Sequence, residues 1–472
     1  ICMWNYIDHG KNRYLYIGAA LLALAFATKE TAYIVTVSLG LYLVLWLWVR
    51  NWPTIRIGVV IGEDSPPVAV MHLVKSLLSV IQQGLKMLCL SRQAGFLVLL
   101  VTLSLPMGSA LVSLLQDTPI LSWSNIILAQ PVGSGDIGAP LGGGLVIAFV
   151  ATGSFVGLAM YFGLRWNRYV WSLCAVTFYA IIILSYSTFF TNMDGVGSGM
   201  WRSLGYWMAQ QDVARGGQPW YYYLMITLVY EFLPLFLGLL GAVYYLRRRD
   251  GFGVFLVFWT TITFVLYMAA SEKMPWLLVN ITLPMIVLSG KFLNDVFSGV
   301  EWRRIWTFGG LLILIGLPVF LLLLWKLAFS WLDGMDGQDV VMLAVLLVLL
   351  AATVVVGYLL GRRMGYANLG VFALIPLTIV LFSLSIRAGW YASYRNGDTP
   401  VEMIVYTQTS PDIVRTLRNM EQLGEAQGDR KGIPIMIDQT SGYTWPWAWY
   451  LRDFTSINYD SYEDRPLDKI PE

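Results

Sequence analysis

The sequence predicts a polytopic α-helical membrane protein that ends in a small α/β domain. Three observations predict it. The 472 residues are 57% hydrophobic and only 13% charged, with a mean hydropathy of +0.63, whereas soluble domains carry about 25% charged residues. About eleven apolar stretches of membrane-spanning length alternate with short loops. Every second loop is basic, and beyond Ala388 the apolar pattern gives way to mixed sequence.

A span needs about 20 apolar residues. In chain order the candidates are Tyr14–Thr28, which is short, then Thr31–Val49, Ala94–Leu115, Gly142–Leu164, Tyr169–Ser187, Trp220–Leu246, Phe252–Ala270, Trp276–Val296, Ile305–Trp331, Val340–Leu360 and Leu369–Ala388. The first two stay separate, because merging them would put the basic loops on opposite faces. Those loops hold Lys11 and Arg13, the stretch from Arg50 to Arg92, Arg165 with Arg168, Arg247–Arg249, Arg303–Arg304 and Arg362–Arg363. The positive-inside rule places them in the cytoplasm of a multi-pass cell-membrane protein. The other loops then face outward, with Lys29–Glu30, Asp117, Asp194, Arg202, Asp212, Arg215, Glu272–Lys273 and the tail.

Two stretches within residues 1–390 differ from simple spans. Near residues 68–91, the apolar residues from Val70 to Leu88 recur at helical spacing, with His72, Lys75, Gln82 and Lys86 on the other face. That pattern predicts an amphipathic helix lying on the cytoplasmic leaflet. Residues 188–219 read as a large external loop. Residues 391–472 form the external α/β domain: Glu402–Gln408 as a strand, Pro411–Gln427 as a helix opened by Ser410, Ile433–Asp438 as a second strand, and Trp445–Phe454 as a helix. Ile1–Asp8 reads as the tail of a helix already under way, so an N-terminal part is expected upstream.

Composition narrows the chemistry. A net charge of +2 carries no nucleic-acid signal. Cys2, Cys89 and Cys174 have no metal or disulfide spacing, and His9 and His72 are the only histidines. A His- or Cys-centred catalytic group is therefore disfavoured. No cofactor or metal centre is expected, with a divalent ion left open.

Charges at membrane depth are paired or functional. Lys29–Glu30 interrupts apolar sequence, which fits either a snorkelling local ion pair or a site for an anionic head group. Glu272–Lys273, in a tight turn closed by Pro275 and Trp276, presents the same alternatives. The 188–219 loop combines aromatic faces with Asn192, Asp194, Arg202, Asp212, Arg215 and, at its end, Trp220. Such groups suit sugar or phosphosugar recognition. Glu231 lies deeper, ahead of Pro234, as either a site residue or half of a buried pair.

The Ala27–Thr31 element resembles the lysine motif of lipid-phosphate-dependent, GT-C-type glycosyltransferases, among them protein O-mannosyltransferases and aminoarabinose transferases. Tyr186–Asn192, Gln210–Tyr223, Glu272–Trp276 and Ser441–Arg452 resemble a flippase-activity-associated, mannosyltransferase-like branch of bacteria and archaea. The resemblance covers most of the chain. It implies a GT-C-like fold and hexosyl transfer from a polyprenyl-phosphate-linked sugar to a protein, lipid or glycan acceptor. It assigns the departing lipid phosphate to Lys29 first, then to Lys273 and Arg202. Glu30, Arg215 and Glu272 become substrate-binding candidates, and Asn192, Asp194, Asp212, Trp220 and Glu231 candidate sugar or acceptor contacts. The family's catalytic acid–base residue falls in a first outer loop, which is expected upstream of Ile1, so the catalytic residue is unknown. Two other classes fit: a lipid-linked sugar flippase or transporter component, and a non-catalytic subunit of a larger membrane complex.

Overall fold

Proline and asparagine set several of the helix breaks among the described residues. The computed structural model describes residues 1–51, 91–116, 118–119, 126–211, 217–300, 315–323, 337–397, 399, 401–405, 410–440 and 444–461. The chain divides into two compact units, Ile1–Leu228 with Pro234–Gly299, and Val229–Leu233 with Val300–Glu472.

The first unit opens with α1 (Cys2–His9), α2 (Arg13–Thr28), α3 (Thr31–Asn51) and α4 (Arg92–Ser104). Pro106 has no N–H to continue α4. A 3-10 segment, Pro106–Leu115, follows instead, bent by 67°. The next helix, α5, runs from Gly143 to Tyr186. Its 44 residues would make a rod of roughly 66 Å, about twice the ~30 Å hydrocarbon layer. Asn167 breaks it with φ −158° and ψ 99°, and its Oδ1 accepts the Val170 N–H at 3.1 Å. An extended residue with that bond is an N-cap, so α5 is two helices meeting at the Arg165–Arg168 turn, as the sequence pattern expects.

Then come α6 (Asp194–Gln210), α7 (Tyr222–Tyr230), α8 (Phe232–Arg248), α9 (Gly251–Ala269), a 3-10 turn (Pro275–Leu277) and α10 (Leu278–Ser298). Pro234 cannot donate to the Tyr230 carbonyl, and α7 and α8 meet at 102° around Glu231.

Among the described residues, five helices are long and apolar enough to cross a membrane: Thr31–Arg50, Gly143–Tyr186, Gly251–Ala269, Pro275–Ser298 and Asn368–Arg395. The number rises to seven if each bent pair is one span, with Arg13–Thr28 as a shorter apolar helix. The eleven expected from hydropathy exceed this in part because Pro106 and Pro234 break two candidates and the α5 pair counts as one helix. Most of Ile305–Trp331, and all of the amphipathic Val70–Cys89 segment, lie outside the described residues.

Basic loops of the first unit gather together. Arg92 donates to the carbonyls of Ile7 at 3.0 Å and Asp8 at 2.7 Å, closing the end of α1, where Gly10 turns the chain at φ 70°. Trp4 packs on Phe252 at 5.2 Å, which brings the start of α9 to the same place. Nearby in sequence, Lys291 pairs with Asp295 at 2.6 Å and Asp250 at 3.3 Å. Tyr245 donates to Asp295 at 2.8 Å, so one network ties α8, α9 and α10.

The second unit contains helical residues 315–323, α11 (Gly337–Met364), α12 (Tyr366–Trp390) and a π-helical turn, Tyr391–Arg395. After these come α13 (Pro411–Ala426), β1 (Ile435–Asp438), α14 (Thr444–Tyr450) and β2 (Ile457–Asp460). Ser410 caps α13 by accepting the Asp412 N–H at 3.2 Å. β1 and β2 pair in parallel, Ile435 opposite Ile457. Ile435, Ile437, Leu451 and Phe454 form the core between them, with Leu417 and Met420 of α13 against it.

The βαβ unit is thus β1–α14–β2, and the expected strand at Glu402–Gln408 is corrected. Residues 401–405 form turns, because Glu402 is engaged by Tyr230 and Asn396 and its carbonyl accepts the Val405 N–H. Residues 406–409 lie outside the described residues.

Candidate functional site

Between α2 and α3 the helix breaks for two residues. Lys29 is extended, and its N–H still bonds to Ala25. The carbonyls of Lys29 and Glu30 accept the N–H groups of Ala32 and Tyr33, at 3.1 and 3.0 Å, and so start α3. Both side chains are released from the helical register, at the far end of α2 from Arg13 and the basic loops.

A helix covers this break. Residues 188–219 were expected to be a loop, but α6 occupies Asp194–Gln210. Its apolar residues Trp201, Leu204 and Met208 are spaced as one helical face and pack with Ala110, Leu128 and Ala148. Four glycines hid that periodicity, and three of them have a packing reason, Gly205 lying against the Gly138 carbonyl. A Cβ at Gly195 would meet the Tyr186 carbonyl, and one at Gly199 the Tyr186 ring. Close approach lets α6 lie directly on the end of α5. Tyr33 then fastens it, sharing a hydrogen bond with Ser203 at 2.8 Å and donating to the Met107 carbonyl at 2.9 Å. Tyr186 donates to the Phe26 carbonyl at 3.1 Å. At the far end of α6, Gln211 accepts the Ser271 N–H at 3.0 Å, joining it to the turn between α9 and α10.

These ties enclose a cavity of about 210 Å³ lined by Lys29, Glu30, Tyr206, Trp207, Tyr267, Glu272 and Trp276, among others. The structure therefore brings Lys29, Glu30 and Glu272 to one place. Among the described residues neither Lys29 nor Glu30 forms an ion pair, so the local Lys29–Glu30 pair is not formed. The aromatic wall of Tyr206, Trp207 and Tyr267 escaped the sequence reading. Its signal was the Tyr206–Trp207 pair at the unburied edge of an unrecognised helix.

Other expected site residues among those described do not line this cavity. Arg202 forms an ion pair with Asp136 at 3.1 Å. Lys273 is only 6% exposed, and its amine donates to the Ala270 carbonyl at 2.5 Å, closing the C-terminus of α9. Burial pushes that amine below the usual lysine value. Asn192 and Asp194 are exposed in and after a left-handed turn, in which Thr188, Phe189 and Phe190 all have positive φ. Trp220 is 66% exposed and stacks edge-on with Tyr221. Glu231 occupies the α7–α8 break and belongs to the second unit. Asp212 and Arg215 lie outside the described residues. Among the described residues no three His, Cys, Asp or Glu side chains group to hold a metal.

Compared with known proteins, the chain matches no family model, no curated protein and no solved structure.

Proposed function

We propose that the chain is part of a GT-C-type membrane glycosyltransferase. It would move a sugar from a polyprenyl-phosphate carrier to an external protein, lipid or glycan acceptor. Its basic loops would lie in the cytoplasm and its α/β domain outside, with the eleven spans expected from the charge alternation. The observation that carries this reading is the helix break at Lys29–Glu30, whose two charges line an aromatic cavity without an ion pair between them.

The chemistry follows from where charge grows. An acceptor hydroxyl attacks the anomeric carbon and loses its proton to a base, while the glycosidic bond to phosphate breaks. Negative charge accumulates on the departing lipid phosphate, so a cation already in place helps the transition state more than the ground state. Lys29 takes that role. Tyr206, Trp207, Tyr267 and Trp276 offer apolar ring faces to the sugar, and Glu30 and Glu272 accept from its hydroxyls. The base is not assigned to this cavity. Reading the chain as a flippase component needs Lys273 on the lipid path, and Lys273 is buried with its amine bonded to the Ala270 carbonyl.

The test is transfer per folded molecule, from a polyprenyl-phosphate sugar, for Lys29→Ala and Lys29→Arg in the intact protein. Loss of a preplaced charge contact costs about 3 kcal/mol, on the order of a hundredfold in rate. Lys29→Ala is expected to show that loss with an unchanged unfolding midpoint. Turnover near wild type in both variants would remove Lys29 from the mechanism and favour a non-catalytic subunit.

A further inference from the structure

The second unit has a cavity of its own, about 260 Å³, lined by Tyr230, Phe232, Leu384, Arg387, Tyr391 and Glu402, among others. Its depth follows from the sequence of α12. From Leu369 to Ile386 that helix carries no charge, and then Arg387, Trp390, Tyr391, Tyr394 and Arg395 follow within three turns. A collar of aromatic and basic residues at the end of an apolar helix marks the level of the lipid head groups.

Two opposite charges share this cavity without neutralising each other. Glu402 is held by its neighbours: Tyr230 donates to Oε2 at 2.7 Å and Asn396 to Oε1 at 2.6 Å. The Tyr230 oxygen in turn accepts the Met403 N–H at 2.9 Å, so the carboxylate is fixed without help from a cation. The guanidinium of Arg387 lies over the Tyr391 ring at 4.8 Å. Among the described residues Arg387 forms no ion pair and no side-chain hydrogen bond. Its fork of donors remains available to an oxyanion. Val229, Phe232 and Leu384 supply an apolar wall alongside.

A fixed anion, an available cation and an apolar wall at head-group depth complement a zwitterionic amphiphile. We propose that this cavity binds the head group of a zwitterionic phospholipid, with its phosphodiester on Arg387, its ammonium on Glu402 and the start of an acyl chain along Phe232 and Leu384. The site is independent of any sugar transfer by the first unit.

Native mass spectrometry of the full chain in mild detergent tests it. The probes are phosphatidylethanolamine, phosphatidylglycerol and phosphatidylcholine, with inorganic phosphate as a competitor. Phosphatidylethanolamine is expected to be retained best, because only its head offers both a phosphate and N–H donors on a cation. Arg387→Gln, at an exposed position, is expected to weaken both the ethanolamine and the glycerol lipid about tenfold or more, as for a lost charge-assisted contact. Glu402→Gln, with Asn396 free to turn its amide, is expected to erase the preference for ethanolamine over glycerol. Retention of phosphatidylethanolamine by Arg387→Gln at the wild-type level would overturn the proposal. So would equal retention of the three lipids by wild type. Displacement of lipid by millimolar inorganic phosphate would overturn it as well, by showing a site for free anions.

Discussion

Removing one oxygen at Tyr33 tests whether α6 is held over the cavity as described. Tyr33→Phe keeps the ring, which packs edge-on against Phe26 at 4.9 Å. It deletes only the hydroxyl bonded to Met107 and Ser203. Hydrogen bonds between membrane helices contribute about 0.6 kcal/mol on average and about 1.7 at most. Two such bonds therefore give about 1–3 kcal/mol, and about 2 kcal/mol corresponds to roughly a thirtyfold change in an opening equilibrium. Hydrogen exchange of the α6 amides in the purified protein reads that opening directly. Faster exchange confined to Asp194–Gln210 and the Pro106–Leu115 segment is the expected result. Exchange within about twofold of wild type at α6 would refute the reasoning, since even one average bond removed gives more than that.

Three further expectations are independent of it. Lys273 has a folded-state pKa below its ordinary 10.5, so between the two values the unfolded chain binds more protons and stability rises with pH. Relative to Lys273→Met, the wild-type unfolding midpoint should climb as pH rises toward 10.5, and a parallel pair of curves would contradict the buried ammonium. Asn167→Ala removes the cap of the second half of α5 and should cost about 1 kcal/mol, read as lost protection at Val170 and Trp171 and absent if the bend is not capped. Leu451 is fully buried in the βαβ core, so Leu451→Ala should destabilise by about 2–5 kcal/mol. Exchange at β1 in the full chain checks this, and unchanged protection there would place Leu451 outside the core.

What the sequence disclosed depended on the kind of signal each element carried. Lys29–Glu30 stood out because charge between two apolar runs has few physical explanations, and the structure places both residues at a cavity. The separate halves of α5 were legible through Arg165 and Arg168, with Asn167 as the cap between them. α6 was not, because Gly195, Gly199 and Gly205 lower helix propensity while serving close packing that is visible only in three dimensions. For Lys273 the sequence left open a phosphate ligand or a partner for Glu272, and the bond to the helix just before it becomes visible only in three dimensions. In the C-terminal region, Glu402–Val405 has strand-like composition, yet the side-chain bonds of Glu402 fold it into turns. β2 went unrecognised because Ile457–Asp460 is only four residues long and is extended by pairing with β1 rather than by its own propensity.

The 3-10 segment under α6 has a consequence for length. Runs of this coil beyond three or four residues are uncommon, and Pro106–Leu115 has ten. At about 2.0 Å per residue it reaches roughly 20 Å, whereas an α-helix of the same residues at about 1.5 Å would reach roughly 15 Å. Rewinding it would draw its end back by about 5 Å, close to one α-helical pitch. Ala110 would also rotate to a new bearing against Trp201 and Leu204. The segment behind α6 is thus a stretch of the first unit whose reach depends on which coil it keeps.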